Sequence, residues 1–213
     1  MVKETILDAV NKLFEESPQR KFPESVDLAI NLKNIDLSQP KNRVDEEILL
    51  PNGRGREIKI GVFAKGEVGL QAKEAGCEYV FSEEDLNELG DDKAKARAIA
   101  NECDFFIAEV QYMPLIGKTL GIVLGPRGKM PIPLPPGKSV VDLINSSRNS
   151  IRIRSKDKLT FHVAVGRRDM DAGKIAENIE TVVTRVEHAL EKGVHNLKSV
   201  YVTTTMGKSV RVA

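Results

Sequence analysis

Lys198-Ser199-Val200-Tyr201-Val202-Thr203-Thr204-Thr205-Met206-Gly207-Lys208-Ser209-Val210-Arg211 is the stretch on which the fold turns. β-Branched or aromatic residues run unbroken from Val200 to Thr205 and resume at Val210, which predicts a strand with an edge to offer. Side chains alternate across the pleat, so the three threonines put hydroxyls on both faces. Gly207, directly after Met206, lets another backbone approach closely. Hydroxyls and exposed N–H groups can bond ribose and phosphate oxygens, and Met206 can lie against a base or ribose. A threonine-rich strand that only pairs with its neighbours would satisfy the same pattern.

Working outward, 213 residues suffice for one large or two small domains with buried cores. Apolar residues make up 41% and charged residues 30%, as in a soluble globular protein. No apolar run reaches the length of a membrane span, and Met1-Val2-Lys3-Glu4-Thr5 lacks a signal-peptide core. Cys77 and Cys103 lie in apolar surroundings and are expected as buried free thiols of a cytoplasmic protein. The net charge is only +1, but its distribution is uneven. Residues 67–117 hold 4 Lys and Arg against 12 Asp and Glu, whereas residues 118–168 hold 11 against 2. One acidic and one basic face are expected, the basic one fitting either a polyanion or ordinary solvated surface.

Ile6, Leu7, Val10, Leu13 and Phe14 have the spacing of an amphipathic helix over residues 3–17. Val26, Leu28, Ile30 and Leu32 alternate with polar residues and predict a half-buried strand, followed by strands over 44–50 and 57–64. From Gly66 the pattern changes to short strands alternating with helices, which implies a small parallel sheet flanked by helices. Residues 119–138 read as a Gly/Pro-rich connection without regular structure. A helix over 140–147, strands at 151–154 and 159–165, and a long helix from Asp171 to Lys192-Gly193 lead to the terminal strand. The fold class is therefore α/β overall: an α+β domain with an antiparallel sheet built from both chain ends, and a nested α/β domain with a parallel, Rossmann-like sheet. The borders are drawn at 1–66 plus 159–213 for the first and 67–158 for the second.

Catalytic chemistry finds no foothold. The phosphate-loop pattern fails at Val123 and Met130, no Gly-x-Gly-x-x-Gly follows a strand, and the histidines and cysteines lack metal-ligand spacing. There is no nucleophile elbow and no carboxylate pair set against an apolar run. His188 and His195 fit structural roles near a helix end. No enzyme activity, cofactor or metal is expected. Lys21-Phe22, in a loop before a strand, can reach a phosphate and stack on a base, though a core phenylalanine reads equally well. A nucleotide-binding α/β protein, favoured by the middle segment, and a protein-binding scaffold are the competing classes.

Ser199-Val200-Tyr201-Val202-Thr203-Thr204-Thr205-Met206-Gly207, with Lys21-Phe22 and Gly125-Pro126-Arg127-Gly128-Lys129-Met130-Pro131 in the same order, closely resembles the L-one family, the first-numbered large-subunit ribosomal proteins. The resemblance covers nearly the whole chain and implies a discontinuous domain with an inserted one, joined by hinge strands near Ala64–Glu67 and Arg154–Leu159. It implies an RNA-contacting surface at Lys21, Phe22, Ser25, Asp27, Ser199, Thr203, Thr205, Met206 and Gly207. Many members carry Thr and Glu where Ser25 and Asp27 stand, so the reach is shorter here. His162, Gly166 and Arg167 match a neighbouring strand, where His162 by itself reads as a surface histidine. Arg127 and Lys129 are candidates for a secondary RNA contact, or belong to a stiff connector. The implied partners are ribosomal RNA of the mobile stalk, the protein's own messenger, and transfer RNA leaving the exit site. The chain is expected as a monomer off the ribosome, in the cytoplasm, with no membrane partner. Lys208 in place of a bacterial proline, the missing N-terminal arm and the short end at Ala213 give the chain an archaeal look.

Overall fold

A computed structural model describes residues 3–212. Met1-Val2 and Ala213, which entered the expectations about the two termini, lie outside the described residues. In chain order the first elements are α1 (Lys3–Glu16), β1 (Ser25–Leu32), β2 (Asp45–Leu49), β3 (Ile60–Phe63) and α2 (Glu67–Glu74). Next come β4 (Tyr79–Phe81), α3 (Glu83–Asp91), α4 (Lys93–Glu102), β5 (Phe105–Glu109), α5 (Met113–Thr119), α6 (Gly121–Arg127) and β6 (Ile132–Leu134). The chain ends with α7 (Val140–Asn149), β7 (Ser150–Arg154), β8 (Thr160–Arg167), α8 (Ala172–Ala189), β9 (Leu197–Thr204) and β10 (Ser209–Arg211).

The chain divides into two compact units, Met1–Arg56 with Asn149–Ala213 and Glu57–Arg148. Both exchanges fall ten residues before the borders drawn at 66/67 and 158/159. Strand pairing explains the shift. β3 lies parallel to β4 and β5, so it belongs to the inserted sheet, while β7 pairs antiparallel with β2 of the outer unit.

In the outer unit an antiparallel sheet runs in the order β10-β9-β1-β8. Val26, Leu28 and Ile30 of β1, Val200 and Val202 of β9, and Phe161, Val163 and Val165 of β8 are all buried on one face. They pack in one core with Ile6, Val10 and Leu13 of α1 and Ile175, Ile179, Val182 and Val186 of α8. Burying one such side chain stabilises by roughly 1.5–3 kcal/mol. A one-residue slip of β1 would exchange Val26, Leu28 and Ile30 for Asp27, Ala29 and Asn31, so the register is firmly set. The terminal stretch differs from the single edge strand expected. After Thr204 it turns and returns as β10, Ser209 opposite Thr203 and Val210 opposite Val202. β9 is thereby held between β1 and β10 and offers no edge.

The inserted unit is a parallel sheet in the order β4-β3-β5-β6 with a core on each face. Residues 119–138, expected without regular structure, include α6 and β6. The prolines are tolerated where they sit. Pro126 lies in the last turn of α6, just before Gly128 (φ 69°) ends it, and Pro133 lies on edge strand β6. Cys77 and Cys103 are both buried free thiols, and burial pushes Cys103 up to about 11, which keeps it unreactive. Among the described residues no helix is long and apolar enough to cross a membrane, and no His/Cys/Asp/Glu group could hold a metal ion.

Candidate nucleic-acid interface

The loop before β1 and the turn after β9 meet at one end of the outer sheet. The Ser25 N–H donates to Thr205 Oγ1 (3.0 Å), and the Thr205 N–H donates to the Ser25 carbonyl (3.1 Å). The pairing of β1 with β9 is thus carried one step past the strand. Thr203 Oγ1 donates to the Thr204 carbonyl (3.0 Å), and the Gly207 N–H donates to the same oxygen (3.2 Å). A β-carbon on Gly207 would stand 2.6 Å from Ser17 Oγ and collide with the Thr204 hydroxyl, so only glycine fits this corner. Phe22 is 45% exposed and Met206 is 59% exposed. Phe22 therefore stands outside the core, and Lys21 is exposed beside it.

The device that fixes this corner is a buried ion pair absent from the expected site residues. Glu24 is 1% exposed. Its Oε1 accepts from the Met206 N–H at 3.1 Å, and its Oε2 accepts from Arg168 at 3.0 Å. The Arg168 guanidinium also donates to the carbonyls of Phe14 (3.2 Å), in the last turn of α1, and of Ser17 and Pro18 (2.7 Å), just beyond it. One Arg–Glu pair thus joins the end of α1, the start of β1, the end of β8 and the turn carrying Met206.

The sheet face turned away from the helices holds the remaining candidates. The register makes three cross-strand rows: Thr203, Asp27 and Ala164; Tyr201, Ala29 and His162; Ser199, Asn31 and Thr160. All nine residues are half-buried or exposed. Asn31 links the last row, donating to Ser199 Oγ at 2.9 Å and accepting from Thr160 Oγ1 at 2.7 Å. Burial pushes the Asp27 carboxyl up, while His162 and Arg54 pull it back toward ionisation. Arg54, also absent from the expectations, acts on Asp27 from a loop whose Gly53 and Gly55 adopt φ of 62° and 69°.

Of the expected residues, Ser25, Asp27, His162, Ser199 and Thr203 share the open face, and Thr205, Met206 and Gly207 form the turn at its end. Arg167 lies opposite Ser25. Gly166 serves the packing of the sheet on its helix instead. It is buried, and a β-carbon there would come within 3.1 Å of Ile175 in α8. Arg127 and Lys129 belong to the inserted unit. Lys129 Nζ donates to the carbonyls of Ala100 (2.8 Å) and Cys103 (2.7 Å), closing the end of α4. Arg127 donates to Asn101 Oδ1 (3.2 Å) and to the Val123 carbonyl (3.1 Å).

Fold and surface together define a class: a pair of α/β units, one nested in the other, whose outer unit presents a bare polar sheet face ending in an exposed aromatic and methionine. The chain belongs to the ribosomal protein L1p/L10e family, which matches residues 13–208. It is 74% identical over 212 residues to the large ribosomal subunit protein uL1 of Methanococcoides burtonii, with 100% of both chains covered. Identity to the uL1 protein of Methanosarcina acetivorans is 68% over 212 residues, again with 100% of both chains covered. For that of Thermoplasma acidophilum it is 52% over 204 residues, covering 96% of this chain and 94% of the relative. All three are archaeal. The family is one of ribosomal proteins rather than enzymes.

Proposed function

We propose that the chain is a protein of the large ribosomal subunit that grips ribosomal RNA through the end and open face of its outer sheet. The observation that carries this is the joining of Lys21, Phe22, Thr205 and Met206 at one corner, with two large apolar side chains left in solvent. Exposed apolar groups beside a lysine and a row of hydroxyls suit ribose and base stacking with phosphate contact, the mode by which structured RNA is held. The near-neutral total charge fits recognition by shape and hydroxyls more than by bulk attraction.

Beyond that, the RNA bound is that of the mobile stalk beside the exit site, and the protein assists departure of deacylated transfer RNA. The inserted unit adds weaker contacts at the exposed Arg127, Lys129 being held by the Ala100 and Cys103 carbonyls, and moves on its two connections. The same corner represses the protein's own messenger by holding a look-alike of the ribosomal site. Off the ribosome the chain is a cytoplasmic monomer. The family resemblance supports these statements.

Phe22→Ala is expected to weaken binding to large-subunit ribosomal RNA by about tenfold, the worth of one aromatic stack. Because Phe22 is already exposed, the thermal midpoint should hardly move. A gel shift on large-subunit ribosomal RNA checks this, and parental affinity in a folded variant would remove the corner from the interface. The messenger prediction follows in the same assay, since unlabelled messenger should compete only if the corner holds both.

A further inference from the structure

On the open face, Ala29 is the middle residue of its row, with Tyr201 opposite it on β9 and His162 opposite it on β8. Its methyl group is the smallest side chain of that row, and it stays partly open to solvent. His162 is exposed and Tyr201 half-buried. Neighbouring strands lie about 4.8 Å apart, so the two ring-bearing residues stand roughly 9–10 Å apart across the alanine. Carbon atoms in contact lie about 3.5–4 Å apart, so a flat ring held between two others needs roughly 7–8 Å. A modest lean of either side chain closes that difference. The floor is apolar, and both ends of the slot are polar: Asp27 and Thr203 bound one end, Asn31 and Ser199 the other.

We propose that Tyr201, Ala29 and His162 form a slot for one unpaired nucleobase of the bound RNA, which enters edge-on and stacks between the tyrosine ring and the imidazole. This rests on the RNA-binding reading above and adds two residues, Ala29 and Tyr201, that neither the sequence patterns nor the resemblance singles out. It also assigns the ligand of this row as a base enclosed on two sides, whereas the corner at Phe22 and Met206 offers open stacking beside ribose and phosphate contacts. Bases on the edge of a duplex are already stacked, so the slot selects a looped or bulged nucleotide. Asp27 and Asn31 flank it as acceptor and amide, able to meet the base's hydrogen-bonding edge.

The test uses the full chain and large-subunit ribosomal RNA in a filter-binding titration at several salt concentrations. Ala29→Val fills the floor with a residue that strands accept readily. It is expected to weaken binding by roughly tenfold, as for one lost base stack. The slope of affinity against salt should stay unchanged, because no phosphate contact is removed. Tyr201→Ala should lose a similar factor and Tyr201→Phe should bind like the parent, which also covers the case in which Ala29→Val fails to fold. Parental affinity for Ala29→Val or Tyr201→Ala, alongside a weakened Phe22→Ala, would overturn the slot and leave the RNA reading standing. Failure of the parent chain to bind the RNA would overturn both.

Discussion

Arg168→Met is expected to destabilise the outer unit by about 3–5 kcal/mol, the usual cost of removing one partner from a buried ion pair. Glu24 is 1% exposed and Arg168 has 18% of its side chain exposed, so water screens the pair little. Without the guanidinium, Glu24 keeps a buried charge, and the carbonyls of Phe14, Ser17 and Pro18 lose a donor. Arg168→Lys should recover only part of the loss, because an ammonium cannot serve four acceptors spread around a planar fork. The double variant Arg168→Met with Glu24→Leu separates stability from function. Removing both charges should restore much of the stability, since no unpaired charge stays buried. It should not restore RNA binding, because the Met206 N–H loses its acceptor and the turn is no longer held. Chemical denaturation read beside a gel shift on ribosomal RNA checks both. Full recovery of both stability and affinity would leave the pair with no positioning role.

Asn178→Leu is expected to destabilise by about 3 kcal/mol, from the desolvation of polar groups left without partners. Asn178 is 0% exposed, in the middle of α8. Its amide nitrogen donates to the carbonyls of Gly53 and Val165, both at 2.8 Å, and its oxygen accepts from the Asn52 N–H at 3.1 Å. Two of those bonds seat the loop before Arg56 on α8 and the third ties α8 to β8, and Arg54 in that loop opposes the upward push of burial on Asp27. A leucine of similar size fills the space and satisfies none of the three groups. RNA affinity should fall as well, and the salt slope should become shallower as the Arg54 loop comes away. Thermal unfolding and a salt titration of RNA binding read the two effects. An unchanged slope would detach the loop from the interface.

Much of the sheet was legible in the residues. The alternation of Val26, Leu28, Ile30 and Leu32 with Asp27, Ala29 and Asn31 assigns β1 and already says which face is buried. The change of pattern near Gly66 marks the insertion, but pairing sets its borders, and β3 carries no local sign that its partners are β4 and β5. The return of β10 was hidden because Met206-Gly207-Lys208 lacks an asparagine–glycine hairpin signal and only Val210 is buried in that strand. Residues 119–138 misled through their prolines, whose cost depends on position: slight on an edge strand or in a last helical turn, severe elsewhere.

At the candidate site the exposed residues were legible through the resemblance, and their supports were not. Glu24 sits in a short loop between Pro23 and Ser25 and reads as a solvated acid, while its partner Arg168 lies 144 residues away. Asn178 looks like an ordinary polar position on a long helix until the loop at Asn52 docks on it, 126 residues distant in sequence. Such partners have no periodicity and appear only once the two chain ends are folded together. Lys129 shows the reverse: a glycine-flanked lysine has the look of a phosphate ligand, yet it closes the end of α4.

Ultraviolet cross-linking of the full chain to large-subunit ribosomal RNA, with the modified peptides identified by mass spectrometry, tests the central claim most directly. Adducts are predicted on the peptides containing Phe22 and Met206, from the two ends of the chain. Adducts confined to peptides from Glu57–Arg148, with the outer sheet unmodified, would contradict it.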